Sequence, residues 1–295
     1  MKKSVNLYVD LGTKPEDGTD ALTTQEKLLL MKMAGYDEFY TGIYDRKETI
    51  PWREQLLYAD KIGLPLTMMH CSYNEPILNE FWLDTPKGEE IVESFITQMR
   101  DCGKYNEVAR AKKVGTIDDF VVHLSGDSTV SSTPLGLERV KRMLAEAKKY
   151  GIHLDIENLH SEENFRYVLD SINDPMLGIC YDCGHRNYLT PGFNVMREYG
   201  PRVRVVHLHT NDGKTDKHES MYKSNFAKIR ELAEDLAPYA ENLVLASELK
   251  APINTKNVYD VFKNDITFLT YLESDIKRVR NNKRKMGLDP NSPSM

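Results

Sequence analysis

Eight short apolar runs recur along the chain, and a longer segment with helical spacing separates each run from the next. The runs lack strict alternation of apolar and polar residues, which is typical of parallel strands that are covered on both faces. The predicted strands are residues 5–10, 38–43, 65–70, 119–124, 153–158, 177–182, 202–209 and 243–249. Eight repeats of strand and helix in one chain predict a closed (β/α)8 barrel.

Two of the intervening segments carry clear helix signals. The segment TTQEKLLLMKMAG begins with threonine, a common N-cap, and ends on Gly35. The segment LGLERVKRMLAEAKKYG ends on Gly151, and its predicted apolar stripe is formed by Leu135, Val140, Met143, Leu144 and Ala147. An open, doubly wound sheet is the main alternative fold, but LGTKPEDGTD is a poor match for the Gly-rich phosphate turn that this fold carries after its first strand.

The chain length fits one domain, because barrels of this kind often reach the 295 residues found here. We predict a TIM-barrel catalytic domain of residues 1–276 and a basic C-terminal tail of residues 277–295, which contains the run KRVRNNKRK after the last barrel helix. Such a run is usually a solvated helix end or a disordered tail, and pairing with an acidic partner subunit is the alternative.

Charge and hydropathy argue against a nucleic-acid-binding protein and against a membrane protein. The formal net charge is −6 and the pI about 5.8, so no overall basic field draws the protein to nucleic acid or to a membrane. No apolar run reaches the roughly 20 residues that cross a bilayer, and the N-terminus does not fit a signal peptide. The four cysteines are few and scattered, which suits a reducing compartment. We therefore expect a cytoplasmic protein that binds neither nucleic acid nor membrane.

Histidines and carboxylates cluster where the predicted strands end. In a (β/α)8 barrel these ends form the rim that carries the active site, so such side chains should meet there. Each strand from the third to the eighth carries a histidine or a carboxylate at or near its end. The residues are His70, His123, Glu157, Asp182 followed by His185, His209 and Glu248. This many potential ligands at one rim predicts a shared metal site.

The stretch VVHLHTNDGKTDKH, residues 205–218, contains three of the eight histidines of the chain. Because alternate residues of a strand share a face, His207 and His209 should both point into the barrel, with His209 nearer the rim. We assign His209 to the metal and His207 to the packed layer beneath it. Asp216 and His218, two more side chains that can bind a metal, follow in the loop.

Two glutamates, one aspartate and one imidazole form an oxygen-rich set, which suits one manganese, magnesium, cobalt or zinc ion better than a thiolate site would. A divalent ion can bind neighbouring hydroxyl and carbonyl oxygens of a sugar, polarise the carbonyl and acidify the adjacent C–H. Glu157 and Glu248 lie on the fifth and eighth strands, across the barrel mouth, so that one can act as base and the other as acid. Proton return to the opposite face gives epimerisation, and return to the same face gives isomerisation.

The motifs IEN, YDCGH, HLHTNDGKTDKH and SEL, in this order on successive strands, resemble those of the xylose isomerase-like TIM-barrel superfamily. This superfamily contains sugar isomerases and epimerases related to D-tagatose 3-epimerase. In that branch one ion is held by a glutamate, an aspartate, a histidine and a second glutamate, and the two glutamates are the acid and the base. The matching residues are Glu157, Asp182, His209 and Glu248. A histidine of the branch that helps to hold the substrate matches His185.

The same superfamily contains the endonuclease IV type of apurinic-site nuclease, which binds three zinc ions. The matching groups in this chain are His70, His123 and Glu157; Glu157, Asp182, His209 and Glu248; and His185, Asp216 and His218. This match implies that the loop returns Asp216 and His218 to the site as ligands; a loop ion pair or a substrate contact without metal is the alternative. The acidic net charge, the sequence ENLHSEE after the fifth strand and Cys183-Gly184 before the histidine depart from the nuclease pattern. The predicted enzyme is therefore a metal-dependent sugar isomerase or epimerase, with the nuclease and a metal-dependent lyase acting on a keto-glycoside as alternatives.

The remaining rim residues are predicted to contact the substrate, a small carbohydrate. With a single bound ion this set consists of His70, His123, His185, Arg186, Asp216 and His218, in which the arginine can meet a carboxylate or phosphate. The loop of residues 71–90 is predicted to expose Tyr73, Phe81 and Trp82 as a lid or a subunit contact. A homo-oligomer or a partner subunit is left open.

Overall fold

The computed structural model describes residues 1–7, 22–42, 57–58, 60–71, 75–224, 226–250 and 257–292. The strands are β1 Lys2–Asn6, β2 Glu38–Thr41, β3 Leu66–Cys71, β4 Asp119–Val122, β5 His153–Glu157, β6 Leu177–Asp182, β7 Val203–Leu208 and β8 Val244–Ser247. Each strand pairs in parallel with its neighbours in sequence, and β1 pairs with β8. This closure confirms the predicted (β/α)8 barrel and excludes the open sheet.

Helices surround the barrel and separate its strands. Those within the described residues are α1 Thr24–Ala34, α2 Glu75–Leu78, α3 Pro86–Lys112, α4 Pro134–Tyr150, α5 Glu162–Ser171, α6 Cys183–Tyr188, α7 Val195–Tyr199, α8 Phe226–Leu236 and α9 Val258–Lys285. The larger apolar core lies between this ring and the strands, where Leu28, Phe95 and Leu269 are fully buried. None of the described helices has the length and apolar character that a membrane span requires.

The strand predictions agree with the structure in number and order. Both predicted bounds of β6 are those of the structure. The first strand differs most, because it begins at Lys2 rather than at residue 5. Residues 8–10, the predicted end of this strand, lie outside the described residues.

The cap predictions for α1 are confirmed. Thr23 Oγ1 accepts from the backbone N–H of Glu26, and the Glu26 carboxylate accepts from the backbone N–H of Thr23. This reciprocal capping box satisfies backbone donors that the first turn leaves unpaired. The helix ends at Gly35, whose φ of 111° lies in the left-handed region that a side chain rarely adopts.

The predicted stripe of α4 needs one correction. Its members from the second turn onward, Val140, Met143, Leu144 and Ala147, are buried. Leu135 is 37% exposed. In this first turn Gly136 faces the core instead, and an added Cβ there would lie 2.2 Å from the Trp82 ring. The absence of a side chain at this position therefore decides which side of the helix start packs inward.

The basic run of residues 277–285 lies within α9 rather than after it. Two of its side chains are buried and bonded. Arg280 donates to the carbonyl of Ala237 and pairs with Glu241, and Lys283 donates to the carbonyl of Ser292. The Arg280 contacts hold the helix end against the segment before β8, and the Lys283 bond holds the residues that follow the helix. This run is therefore partly structural rather than wholly solvated.

The predicted aromatic lid after β3 is wrong for two of its three residues. Phe81 and Trp82 are buried, and Trp82 Nε1 donates to the carbonyl of Leu124. They anchor the loop in the core instead of facing a substrate. Tyr73, the third residue, lies outside the described residues.

A second, smaller apolar layer fills the inside of the barrel. It consists of Tyr40, Met68, Val121, Cys180, Val205 and Ala246. Because side chains on a strand alternate between faces, the residues two positions further along point to the same interior, one step nearer the rim. For the last five members of the layer these residues are His70, His123, Asp182, His207 and Glu248. The fold thus places a polar layer directly on an apolar one.

One buried carboxyl of α9 should make stability depend on pH. Asp265 is fully enclosed and accepts a 2.6 Å hydrogen bond from the Tyr36 hydroxyl. Burial raises the pKa of Asp265 to about 6 from 3.8, although the bond from Tyr36 lowers it. The folded state therefore holds this proton more tightly than the unfolded state. The resulting contribution to the free energy of unfolding is fully present below about pH 4 and is lost as the pH rises through about 6.

Asp265→Asn should remove this dependence. Two pKa units correspond to about 3 kcal/mol. Between pH 4 and pH 7 the wild type should therefore lose about 3 kcal/mol of unfolding free energy that the variant does not lose. Urea unfolding at both pH values measures the difference. An equal change in the two proteins would show that Asp265 titrates normally in the fold.

Candidate metal centre

Glu157, the last residue of β5, lies at the centre of the polar layer. Its Oε2 is 3.0 Å from Nε2 of His70 and 3.1 Å from Nε2 of His123. These histidines come from β3 and from the residue after β4, so three neighbouring strands converge on one carboxylate oxygen. The structure thus brings His70, His123 and Glu157 together as one group that could hold a cation.

A second group shares Glu157 and faces the other side of the barrel mouth. Its ligand atoms all lie within 4.8 Å of one another, and its residues are Glu157, Asp182, His207 and Glu248. Nδ1 of His207 lies 2.9 Å from Oε2 of Glu248, 3.4 Å from Oε1 of Glu157 and 3.8 Å from Oδ2 of Asp182. Carboxylates from β5, from β6 and from the residue after β8 therefore surround one imidazole nitrogen.

The histidine in this group differs from the one assigned from the sequence. Strand alternation assigns His207 to a packed layer beneath the site and His209 to the ligands. In the structure the packed layer ends at Val205, so His207 itself enters the polar layer, and His209 lies one step beyond it. Alternation shows that both rings share a face. It does not give the position of each ring along the barrel axis relative to the carboxylates.

Two aromatic rings fix the plane of the His207 imidazole. Tyr40 stacks on it with ring centroids 5.3 Å apart and an interplanar angle of 16°, and His70 stacks with 5.6 Å and 17°. The Tyr40 hydroxyl also donates to the carbonyl of Ser247, the residue before Glu248. Tyr40 therefore orients two members of the group. No sequence signal points to this role, since an aromatic residue inside a strand looks like ordinary core.

A third group forms where the loop after β7 returns to the rim, as predicted. It contains His185, His209, Asp216 and His218. Asp216 Oδ2 is 2.7 Å from Nε2 of His218 and 3.5 Å from Nε2 of His185. His209 Nε2 is 3.0 Å from Oδ2 of Asp182, so this ring links the third group to the second.

The backbone of the loop holds His218 in place. Thr210 and Glu219 pair across the loop by two hydrogen bonds of 2.8 Å each. His218 has a φ of 47°, and its Nδ1 is 2.8 Å from the carbonyl oxygen of Glu248. Positive φ values in residues other than glycine are uncommon and cluster at functional sites. The strained backbone brings His218 against the end of β8.

Asn158, the residue after Glu157, aligns β5 with β6. Its side-chain amide donates to the carbonyl of Asp182, and its side-chain oxygen accepts from the backbone N–H of the same residue. Asp182 in turn caps α6 by accepting from the backbone N–H of His185 at 2.7 Å. The motif IEN therefore supplies both a potential ligand and its positioning partner, and the role of the asparagine becomes visible only in the fold.

Several buried polar atoms of these groups have no hydrogen-bond partner within the described part of the chain. They are Oε1 of Glu157, Oε2 of Glu248, both ring nitrogens of His207, Nδ1 of His209 and Oδ1 of Asp216. The His207–Glu248 approach of 2.9 Å lacks the angles of a hydrogen bond. Unpaired buried polar atoms are costly, and their convergence is what a cation site requires. The residues therefore fit a divalent metal.

The charges of the site support this conclusion. Burial raises the pKa of Glu157, but His207 and His123 outweigh it and hold this pKa well below its usual range. Burial lowers the pKa of His207, but neighbouring groups, above all Cys180 and Glu248, raise it. The resulting pKa of His207 lies well above its usual range. Glu157 and His207 thus each shift the pKa of the other towards its charged form. A divalent cation binds such a set when the histidines lose their protons.

Arg186 does not join these groups. Its guanidinium donates to Asp235 at 3.0 Å, to Glu231 at 2.9 Å and to the hydroxyl of Tyr181. These contacts turn it away from the barrel mouth, between α6 and α8. Its charge is already balanced, which does not favour the predicted contact with a substrate carboxylate or phosphate.

Comparison with known proteins agrees with the fold and with the sequence motifs. The model of the family described as xylose isomerase-like TIM barrel matches residues 33–251. The chain belongs to this family. The resemblance predicted from the strand-end motifs is thereby confirmed. No curated protein sequence matches significantly.

Solved structures of this fold include several sugar epimerases. An L-ribulose 3-epimerase superposes with a TM-score of 0.70 at 13% identity, and the match covers 99% of each chain. A D-allulose 3-epimerase from Methylomonas sp. has a TM-score of 0.66 at 13% identity, covering 92% of this chain and 96% of that one. A 3-keto-D-glucoside 4-epimerase from E. coli has a TM-score of 0.63 at 14% identity, covering 92% and 99%. At these identities the likeness shows the shared fold of the xylose isomerase-like family.

Proposed function

We propose that the protein is a divalent-metal-dependent sugar isomerase or epimerase that moves a proton at the carbon beside a carbonyl. The observation that carries this proposal is the approach of Glu157 and Glu248 to one point. They come from β5 and from the residue after β8, yet their oxygens lie 3.4 Å and 2.9 Å from the same nitrogen of His207. Two carboxylates on either side of one centre can act as an acid and base pair.

The residues proposed to hold the ion are Glu157, Asp182, His207 and Glu248, with His209 beside Asp182. Their carboxylates and imidazoles suit one manganese, magnesium, cobalt or zinc ion. When bound, such an ion supplies Lewis-acid polarisation of a substrate carbonyl. The chain's own contribution is to hold the carboxylates in place and ionised, since His70 and His123 both contact Oε2 of Glu157.

In the proposed reaction one glutamate takes the proton from the carbon beside the carbonyl, which leaves an enediolate of the sugar. The other glutamate returns a proton to the opposite face of the same carbon for epimerisation, and return by the first glutamate to the former carbonyl carbon gives isomerisation. The proposed substrate contacts are His70, His123, His185, Asp216 and His218, which surround the two glutamates. Each offers a donor or acceptor suited to sugar hydroxyls. A cytoplasmic enzyme acting on a small carbohydrate is the corresponding proposal for location and partner.

The family supports this proposal in a general way. Three of the similar structures are named as epimerases of ketoses or of a keto-glucoside. The polar layer described above lies at the strand ends, where barrel enzymes carry their active sites. The first fact favours sugar chemistry, and the second supports the position of the active site.

Proton transfer through a carboxylate predicts exchange with solvent. Incubation of a panel of free ketoses and keto-glycosides with the metal-loaded protein in deuterated water should place deuterium at the carbon beside the carbonyl. Mass spectrometry detects the added deuterium whichever product forms. Product that forms without deuterium would contradict the proposal and would indicate a direct hydride shift between carbons.

A zinc phosphodiesterase of the endonuclease IV kind is the second candidate. The observation that favours it is the presence of three adjacent groups of potential ligands, centred on Glu157, His207 and Asp216. The formal net charge of −6 argues against it, because phosphate neutralisation by basic residues supplies most of the affinity for DNA. A metal-dependent lyase acting on a keto-glycoside would use the same two glutamates.

We expect no cleavage of a duplex that contains an abasic site above a control with metal alone. The assay uses the zinc-loaded protein at low salt, where electrostatic binding is strongest. Nicking that disappears in Glu157→Gln would reverse the order of the two candidates. Cleavage that persists in this variant would point to a contaminating nuclease.

A further inference from the structure

Three of the proposed substrate contacts come from two separate segments of the chain. His185 lies on α6, whereas Asp216 and His218 lie in the loop of residues 210–219, which follows β7. Asp216 Oδ2 lies 3.5 Å from Nε2 of His185 and 2.7 Å from Nε2 of His218. These distances persist only while the loop keeps its position relative to α6. The three contacts therefore depend on whatever joins the loop to this helix.

Asn211 joins the two segments. It is buried, and its side-chain nitrogen donates to the carbonyl of Gly184 in α6 at 2.8 Å. Its side-chain oxygen accepts from the backbone N–H of Gly213 at 3.0 Å and from the side-chain nitrogen of Asn187 at 2.6 Å. One side chain of the loop thus bonds to the loop itself and, at two points, to α6.

A series of donors fixes the direction of both side-chain amides. Lys228 of α8 donates to the side-chain oxygen of Asn187 at 2.7 Å, so the nitrogen of this amide is the atom that faces Asn211. The oxygen of Asn211 therefore accepts, and its nitrogen donates to Gly184. Because an ammonium group can only donate, the series runs in one direction. A carboxylate at position 211 could accept from Asn187 but could not donate to Gly184.

Gly184 makes the junction tighter than hydrogen bonds alone would. An added Cβ at this residue would lie 2.1 Å from Cε1 of His209, so only glycine lets α6 approach that ring this closely. The same ring stacks on His218 of the loop, with centroids 4.0 Å apart and an interplanar angle of 11°. The start of α6, the imidazole of His209 and the loop thus pack together around the bond from Asn211 to Gly184.

We propose that Asn211 is a positioning residue for substrate binding, which holds the loop of residues 210–219 against α6. It acts through His185, Asp216 and His218, whose mutual distances it maintains, and not through the two glutamates. The part played in substrate binding rests on the proposed function. The attachment of the loop to α6 does not.

Hydrogen exchange tests the attachment without any substrate. In Asn211→Ala the backbone amides of residues 210–219 should exchange about tenfold faster or more, since one or two lost hydrogen bonds lower the cost of local opening by that factor. Asn211→Asp keeps the size and the acceptor atoms but loses the donor, so these amides should again exchange faster than in the wild type. Amides of α4 should be unchanged in both variants. Mass spectrometry of peptides from the full-length protein gives the rates.

Steady-state kinetics tests the part played in substrate binding. Asn211→Ala should raise KM for the best ketose of the panel by about tenfold or more and leave kcat nearly unchanged, because the two glutamates are untouched. A variant that merely folded less well would instead lower kcat and leave KM unchanged. Asn187→Ala removes the other side of the junction and should act in the same direction, which keeps the test decisive if Asn211→Ala does not fold. Asn281→Ala, exposed on α9, is the matched control and should behave like the wild type.

The outcomes separate the two parts of the proposal. Unchanged exchange of residues 210–219 in the variants of Asn211 and Asn187 would overturn the attachment. Faster exchange with an unchanged KM would overturn the part played in substrate binding. If the wild type exchanges protons with no sugar, the proposed function fails and that part fails with it, while the exchange rates still decide whether Asn211 holds the loop.

Discussion

Replacing Glu157 or Glu248 by glutamine should lower the rate of proton exchange between solvent and substrate by about 10²–10⁴-fold, the usual contribution of a positioned acid or base. Glutamine keeps the shape of the side chain and one oxygen that can bind a metal, but it cannot accept the proton. Deuterium incorporation into the best ketose of the panel, followed by mass spectrometry, measures the effect. Substrate affinity should change much less, because the substrate contacts proposed for the surrounding histidines do not involve the replaced group.

The matched control is Glu163→Gln on the exposed face of α5, which should retain the wild-type rate. The metal content of each variant must be measured in parallel, so that loss of the base is separated from loss of the ion. Near-normal turnover in both Glu157→Gln and Glu248→Gln would disprove the roles of acid and base. A large loss in only one of them would indicate one-sided proton return, and thus isomerisation rather than epimerisation.

Removal of a residue at the centre of the second group should release the metal. Asp182→Ala and His207→Ala should each weaken metal binding by about 100-fold or more, since loss of an outer partner of a ligand alone costs about 10–100-fold. Asp182 is fully buried, and its Oδ2 lies 3.0 Å from His209 and 3.8 Å from His207. Competition with a metal-sensitive chelator measures the affinity, and elemental analysis gives the number of ions per chain.

His153→Ala provides the control, because His153 begins β5 at the opposite end of the barrel and contacts the carbonyl of Asp118. It should leave metal binding unchanged. His209→Ala distinguishes the two assignments of the ligand histidine. A greater loss in His209→Ala than in His207→Ala would restore the assignment made from the sequence. One ion per chain is expected for the sugar enzyme, and three ions would favour the nuclease.

The sequence by itself determined the barrel and the rim. Apolar runs that lack alternation, separated by capped helices, are local patterns, and they located all eight strands. Strand ends are also local features, so Glu157, Asp182 and Glu248, which the structure brings together, could be proposed as site residues before any contact was known. The loop residues Asp216 and His218 could be predicted to return to the site, because their spacing from β7 resembles that of known family members.

Only the tertiary structure decided which of these side chains meet. Alternation along β7 tells which face His207 and His209 share, but their height relative to Glu157 depends on how the strands are staggered around the barrel, which no single strand encodes. The partners of Arg186 lie on α8, some 45 residues later, and the burial of Trp82 depends on the missing side chain at Gly136. These outcomes are set by packing between distant segments, so local patterns could not have given them.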